Sequence, residues 1–324
     1  FLFAAISVLF ALSIAAESFA ETTIGGTIDV RGRWRENNND LNKGQYGSTA
    51  YWEQKVNLWV DAKIAEGLSG YVELQSGMGS SDGFVTWGSA RGKTDSDDSD
   101  VTNADKAPNS LLNENQSLGY MQIRYAYIDF MIPKTPVGIK IGHFPVVLGH
   151  SIWTDTSYWG SDGLLIYSSP IKELMIGLGT LKGYETASNT NRTDADLYVL
   201  MASYTFMPKN TAGFNVSYIL RTGASGTGKT LDNAYWSGLS VGGTAFNAIN
   251  DMKFWNIMLT VDGSVDFGLN YKFEIDKQFG KLDDTEAAGV ADLKGSGLAF
   301  LLGASYGIGE IAEVKFNAAY GSGD

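Results

Sequence analysis

No cysteine occurs in the chain, and it has only two histidines and six prolines in 324 residues. Without cysteine there is no disulfide framework, thiolate nucleophile or thiolate metal site. That usage fits a reducing cytosol or a bacterial envelope where free thiols are avoided. The histidines, His143 and His150, lie seven apart and do not have the i, i+4 spacing of a helical metal motif, so structural or loop roles are expected for both. Basic residues are outnumbered, 24 Lys and Arg against 36 Asp and Glu. The net charge of −12 argues against nucleic acid, which needs a basic face. Beyond residue 20 no run of 18 apolar residues occurs, which excludes a helical membrane span. Aromatics at 12% are too many for a disordered chain.

An apolar run, Phe1 to Ala16, comes first, and Ser18-Phe19-Ala20 follows as a small-x-small cleavage site. This reads as the core of a secretory signal whose initiator Met and basic n-region are missing, with residues 1–20 removed after export. A membrane anchor would need about 20 apolar residues.

From residue 21 on, the dominant pattern has a period of two. Ile24, Gly26, Ile28, Val30 and Trp34 alternate with Thr27, Asp29, Arg31, Arg33 and Arg35. Trp52, Val56, Leu58, Val60, Ala62 and Ile64 oppose Glu53, Lys55, Asn57, Asp61 and Lys63. Val265, Phe267, Leu269, Tyr271, Phe273 and Ile275 oppose Asp266, Asn270, Lys272, Glu274 and Asp276. Val314, Phe316, Ala318 and Tyr320 oppose Glu313, Lys315 and Asn317. Successive strand side chains point to opposite faces, so each segment has one greasy and one charged face.

About 13 strands are expected, at 22–35, 50–64, 68–78, 120–131, 137–145, 162–169, 173–182, 196–206, 211–221, 252–261, 265–279, 297–306 and 311–320. Several are longer than the usual 5–6 residues of soluble sheets and long enough for a tilted membrane span. Tight turns are expected at Ala65-Glu66-Gly67, Pro133 to Pro136, Pro208-Lys209-Asn210, Asp262-Gly263-Ser264 and Gly307 to Glu310. Long polar loops are expected at 36–49, 79–118, 147–161, 184–193, 222–250 and 281–295. Short turns alternating with long loops, and aromatics near strand ends, are the outer-membrane arrangement, which a soluble sandwich lacks. The expected fold is all-β, a transmembrane antiparallel up-and-down β-barrel over 21–324. Single-chain barrels have an even count, so about 14–18 strands are expected in all, with the C-terminal part missing.

Trp34, Trp52, Trp255, Phe273 and Tyr320 are the expected interface aromatics. The candidate pore-lining groups are Arg31, Arg33, Arg35, Glu53, Lys55, Asp61, Lys63, Glu73, Asp129, Lys140, Asp266, Lys272, Glu274, Asp276, Glu313 and Lys315. Rings of side-chain charge set ion preference, while cross-strand pairs keep such a wall wet. The loop 79–118 is the candidate constriction, with an outer lid as its rival.

Two motifs suggest chemistry. Gly223 to Thr230 fits the phosphate-loop pattern G-x-x-x-x-G-K-[ST], but the strand before it alternates and the Gly- and Ser-rich segment after it is a poor helix. Asp95, Asp97, Asp98 and Asp100 lack the Gly and Glu of a calcium loop and read as a solvated acidic loop. No Gly-x-Ser-x-Gly is present, and no enzyme, cofactor or metal is expected.

Arg124 to Phe130, Pro133 to Pro136 and Ile139 to Gly149 together resemble a hairpin of outer-membrane porins, most like the alginate-export type and related substrate-selective porins. The opening strand, Gly25-Gly26-x-Ile28-x-Val30-Arg31-Gly32-Arg33, is similar too. The resemblance implies an outer-membrane barrel without covalent chemistry. Where that family carries Arg-Gln, this chain carries His143-Phe144, which removes a basic group that a polyanion would use. The sequence is thus expected to encode a porin passing small hydrophilic solutes or ions, in contact with outer-membrane lipid and lipopolysaccharide, as a monomer or homotrimer. The alternatives are a non-conducting adhesin or receptor barrel, or a sheath for a periplasmic electron carrier.

Overall fold

The structure is a computed structural model and describes residues 21–35, 49–76, 84–86, 121–158, 160–184, 194–222, 240–241, 244–245, 251–283, 293–309 and 311–322. It divides into two compact units, Phe1–Ile128 and Asp129–Asp324.

In the first unit, β1 (Glu21–Arg35) pairs antiparallel with β2 (Thr49–Ala65), and β2 with β3 (Leu68–Gln75). β4 (Gln122–Met131) follows β3 in the sheet. A two-residue strand, Val85–Thr86, pairs with Gln54 and Glu53 of β2. Like-faced residues meet across the β1–β2 register: Ile24 lies opposite Val60, Ile28 opposite Val56 and Arg31 opposite Glu53. A one-residue slip would carry every side chain to the other face, so this pattern fixes the pairing.

The last three residues of β4 open the second unit. There, β5 (Val137–Phe144), β6 (Ser161–Ile171), β7 (Leu174–Tyr184), β8 (Asp194–Met207) and β9 (Asn210–Thr222) succeed one another. β10 (Asp251–Ser264), β11 (Leu269–Asp283), β12 (Leu293–Ile308) and β13 (Ala312–Gly321) complete it. From β5 onward each strand pairs antiparallel with the next in chain order. This is an up-and-down, all-β sheet of the kind that forms barrels. No helix among the described residues is long and apolar enough to cross a membrane, which says nothing of strands.

Burial is inverted relative to a water-soluble sheet. Ile24, Ile28 and Trp34 are 71–73% exposed, whereas Glu53 is 2% and Glu274 and Asp276 are 0% exposed. Leu178, Leu259, Leu302 and Phe316 are exposed in the same way. Each large apolar side chain left in water forfeits about 1.5–3 kcal/mol, so a face built of them requires an apolar solvent. The strands are long enough to cross one: β10 has 14 residues and β11 has 15, against the roughly 9–11 that a tilted span needs.

The thirteen long strands fall close to the expected positions, with one displaced turn. Asp262-Gly263-Ser264 was expected to turn but belongs to β10, and the chain reverses instead over 265–268. Val265 donates its N–H to the carbonyl of Leu269, and Gly268, at φ +92°, donates to the carbonyl of Val265. Only glycine adopts that conformation without strain, so the bend is set at 268 rather than 263. Asp266, expected on the charged face, is therefore an exposed turn residue. The segment 147–161 also departs from expectation. Within this expected loop Val147–Leu148 pairs with Thr154–Asp155, and the hairpin packs on the second unit's own polar face.

Candidate functional site

The polar face of the first unit is organised around two buried carboxylates. Arg31 and Arg33 of β1 both bring Nε to Oε1 of Glu53 on β2. The Arg31 guanidinium lies 3.3 Å from the ring centroid of Phe84, and the Lys55 ammonium lies 4.9 Å from it. Phe84 is itself buried, held in place as Val85–Thr86 pairs with β2. An aromatic face attracts cations, so one carboxylate and one ring gather three basic groups. Glu73 of β3 is the second anchor. It accepts from Asn57 Nδ2 and Arg124 Nη1, each at 2.8 Å, and from the Tyr71 hydroxyl at 2.9 Å. Tyr71 in turn stacks on Tyr127, with ring centroids 5.3 Å apart.

In the second unit the hairpin 146–156 covers part of the polar face. Leu148, Val199 and Met258 form a buried apolar cluster, with Val146, Trp153, Leu197 and Met201 packed against it. Trp153 stacks on Phe254 at 6.1 Å. The backbone N–H of His150 donates to Glu274 Oε2, and His150 Nε2 lies 3.3 Å from Asp262 Oδ1. Asp276 accepts from Asn256 Nδ2 at 2.9 Å. Gly149, at φ +57°, makes this approach possible: a Cβ there would lie 2.5 Å from Glu274 Oε2 and 2.6 Å from Met258 Sδ. Within the hairpin, Asp155 accepts from the N–H and hydroxyl of Ser157 at 2.9 and 2.5 Å. These bonds hold its carboxyl below the ordinary range.

Elsewhere on this unit Asp129 accepts from Tyr167 at 2.6 Å and lies 3.4 Å from Lys140. A polar cleft of 350 Å³ is lined by Asp262, Asn270, Lys272, Glu313, Lys315 and Asn317. Glu313 and Lys315 pair with each other at 2.9 Å, and both are well exposed.

Seven of the sixteen expected charged residues fall in two networks, Arg31, Arg33, Glu53, Lys55 and Glu73 in the first unit and Glu274 and Asp276 in the second, while Asp129 with Lys140 and Glu313 with Lys315 form separate pairs. Asp61 shares the polar register of β2 but is exposed, and Lys63 pairs with Glu21 at the strand end, at 2.6 Å. Asp266 is excluded by the shifted turn. For Arg35 only the strand position is described. Glu274 and Asp276 lie on the expected face but beneath the hairpin, fully buried. Of the expected interface aromatics, Trp34, Trp52, Trp255 and Tyr320 are exposed on the apolar face, and Phe273 is half-buried there. Of the loop 79–118 only Phe84–Thr86 is described; the acidic run at 95–100 and the glycine-rich segment 223–230 lie outside the described residues. Asn57, which alternation places on the polar face of β2, and Tyr71, Phe84, Arg124, His150 and Asn256 stand outside the expected pore-lining set. Period two could have flagged Asn256 as well, which shares the polar register of β10. Nothing local marks His150 or Phe84.

No family model matches the chain, and no curated protein matches it. Among solved structures it is similar to OmpT, an outer membrane protein of Vibrio cholerae in its trimer form, at 10% identity over 94% of this chain and 89% of that one, with a TM-score of 0.37. It is similar also to OccAB4 of Acinetobacter baumannii, at 13% identity, 94% and 83% coverage and a TM-score of 0.43. A mutant porin of Rh. blastica gives 11% identity, 92% and 94% coverage and a TM-score of 0.30. The functional reading stands on the chain's own geometry.

Proposed function

We propose that the chain forms an outer-membrane β-barrel channel, through which small hydrophilic solutes or ions diffuse along a charged, hydrated wall. The inverted burial carries this reading: Ile24, Ile28 and Trp34 face out of the sheet while Glu53, Glu274 and Asp276 are shielded on the other side. Closure of the strands would satisfy every backbone group away from water, the condition for a sheet in lipid. The apolar surface then meets hydrocarbon, with Trp34, Trp52, Trp255, Phe273 and Tyr320 toward the headgroups, beside lipopolysaccharide. Mixed-sign charge on the polar face supports a wet wall, and the hairpin 146–156 supports a narrowed passage.

In this reading the passage of solute makes and breaks no covalent bond, and the protein acts as a monomer or homotrimer. Position-dependent charge sets preference. The basic groups around Glu53 favour anions locally; Asp262, Glu274 and Asp276 favour cations locally. A polyanion is disfavoured by those acids. Planar-bilayer recordings of the purified full-length protein test the proposal. Discrete ohmic steps are expected, with a reversal potential in a salt gradient. A folded, inserted and silent protein would favour the adhesin or receptor reading instead.

A further inference from the structure

Near the long-loop ends of the strands, the apolar face of the second unit carries a row of charge at one level. Register partners join this row from strand to strand, from His143 on β5 to Lys294 on β12. Lys253 shares its parity with the exposed Trp255, Ile257 and Leu259, and Lys294 with the exposed Leu298 and Phe300. One step toward the strand centres, Tyr198, Tyr218, Trp255 and Phe279 are successive register partners. The first three stack, with ring centroids 6.4 and 4.4 Å apart. Aromatic rows on a lipid-facing sheet sit at the headgroup level, so the charges just beyond them lie among headgroups.

The two halves of the row differ. On β5 to β8 the signs alternate: His143 pairs with Asp162 at 2.8 Å and Lys182 with Asp196 at 2.9 Å. Leu220 of β9 interrupts the row. Beyond it Lys253, Lys281 and Lys294 are register partners on β10, β11 and β12, and all three are exposed. Like charges directly opposite one another are destabilising. Lys277 of β11, on the same face, adds a further basic group. Its ammonium reaches Ser296 Oγ at 2.9 Å, one step toward the row. A lysine stem laid along apolar surface carries its charge toward the headgroups in this way. Asp251 and Asp283, register partners one step further out, are the acids of these strand ends, where the lysines outnumber them.

We infer that this patch docks a phosphorylated glycolipid of the outer leaflet, with its phosphates among Lys253, Lys277, Lys281 and Lys294 and its acyl chains on the apolar face below Trp255 and Phe279. Phosphate supplies the counter-charge that the lysine row calls for, and basic groups at a membrane surface are worth most against anionic headgroups. A free anion would make no use of the apolar surface beneath, and a soluble acidic protein does not reach headgroup depth. Long connections lie on the outer side of such barrels and short turns on the periplasmic side, which selects the leaflet built of lipopolysaccharide. The site rests on the outer-membrane placement in the channel reading and is independent of conductance.

The test is titration of the detergent-solubilised full-length protein with bisphosphorylated lipid A, lipid A stripped of both phosphates, and inorganic phosphate, followed by calorimetry and tryptophan fluorescence. Conductance is recorded on the same preparation. Saturable binding of bisphosphorylated lipid A is expected, about thirtyfold weaker in the double variant Lys253→Gln/Lys294→Gln. The charge-keeping variant Lys253→Arg/Lys294→Arg should bind as the parent does, and so should Lys315→Gln, on the opposite face. Equal affinity of the parent for the stripped lipid overturns the inference, as does parent-like affinity in the double glutamine variant. An equal loss in Lys315→Gln traces binding to net charge and also overturns it, as does inorganic phosphate that binds as tightly as the lipid. A conducting protein that binds no lipid A overturns the site and leaves the channel reading intact. Phosphate-dependent lipid binding without conductance supports the site and removes the channel.

Discussion

The backbone N–H of His150 donates to the carboxylate of Glu274, joining the short hairpin after β5 to the middle of β11, 124 residues further along the chain. Glu274 is fully buried, and a buried carboxylate without donors is costly. This bond and the Leu148–Val199–Met258 cluster therefore fix the hairpin on the polar face by two kinds of force, one polar and one apolar. Four predictions follow from this hairpin and from the two faces of the sheet.

Gly149→Ala places a methyl where Glu274 Oε2 and Met258 Sδ already sit, and forces an L side chain to hold φ +57°. The backbone strain alone is about 1–2 kcal/mol. The hairpin is expected to lift from the polar face, raising single-channel conductance while the strands stay folded. Leu148→Ala, which empties the apolar anchor, should act in the same direction. Unchanged conductance in both variants would remove the hairpin from the passage.

Glu53→Gln leaves the guanidinium groups of Arg31 and Arg33 without their shared counter-charge. The two guanidinium groups left behind are 34% and 25% exposed, so the cost falls below the roughly 3–5 kcal/mol of a fully buried pair, and is read as a lower urea midpoint. The reversal potential in a salt gradient should move toward anion preference. A shift toward cations would contradict the placement of these groups on a conducting wall.

Leu259 is half exposed on the apolar face of β10, between Phe214 and Ile275. Leu259→Arg should destabilise the protein in lipid by about 2–4 kcal/mol, the cost of an arginine near the bilayer midplane. Lys272→Gln, on the other face of the neighbouring strand, should leave stability within about 0.5 kcal/mol. Urea unfolding in vesicles distinguishes the two.

Asp155 has a lowered folded-state pKa because Ser157 donates to it twice. A carboxyl shifted down contributes stability that is fully present above its unfolded value of about 3.9 and is lost as pH falls through the folded value. The hairpin should therefore loosen only below about pH 4, seen as a change in Trp153 emission that Asp155→Ala abolishes. A transition that Asp155→Ala leaves in place would assign the loosening to another group.

Much of the sheet was legible in the sequence because strands such as β1, β2, β11 and β13 alternate apolar and polar side chains. Arg31 and Glu53 could be placed on one face from their parity alone, and their register partnership agrees. The turn at 265–268 was not legible, since Asp262-Gly263-Ser264 carries equally good turn chemistry and the choice falls to Gly268, the residue with a positive φ. The packing of the hairpin 146–156 was not legible, because its polar composition hides what anchors it. Leu148 and Trp153 find their partners, Val199, Met258 and Phe254, only through long-range packing. Phe84 is similar: its role as a seat for Arg31 and Lys55 depends on the return of Val85–Thr86 to β2.

In this reading adjacent strand residues lie in different solvents, and none of these 324 residues is a cysteine that would label in competition. Single cysteines replace Lys272 and Phe273 on β11, and Lys315 and Phe316 on β13, in full-length protein inserted in lipid vesicles, and each is exposed to a membrane-impermeant maleimide. Rapid labelling at 272 and 315 and protection at 273 and 316 are expected. Labelling at 273 and 316 with protection at 272 and 315 would contradict it.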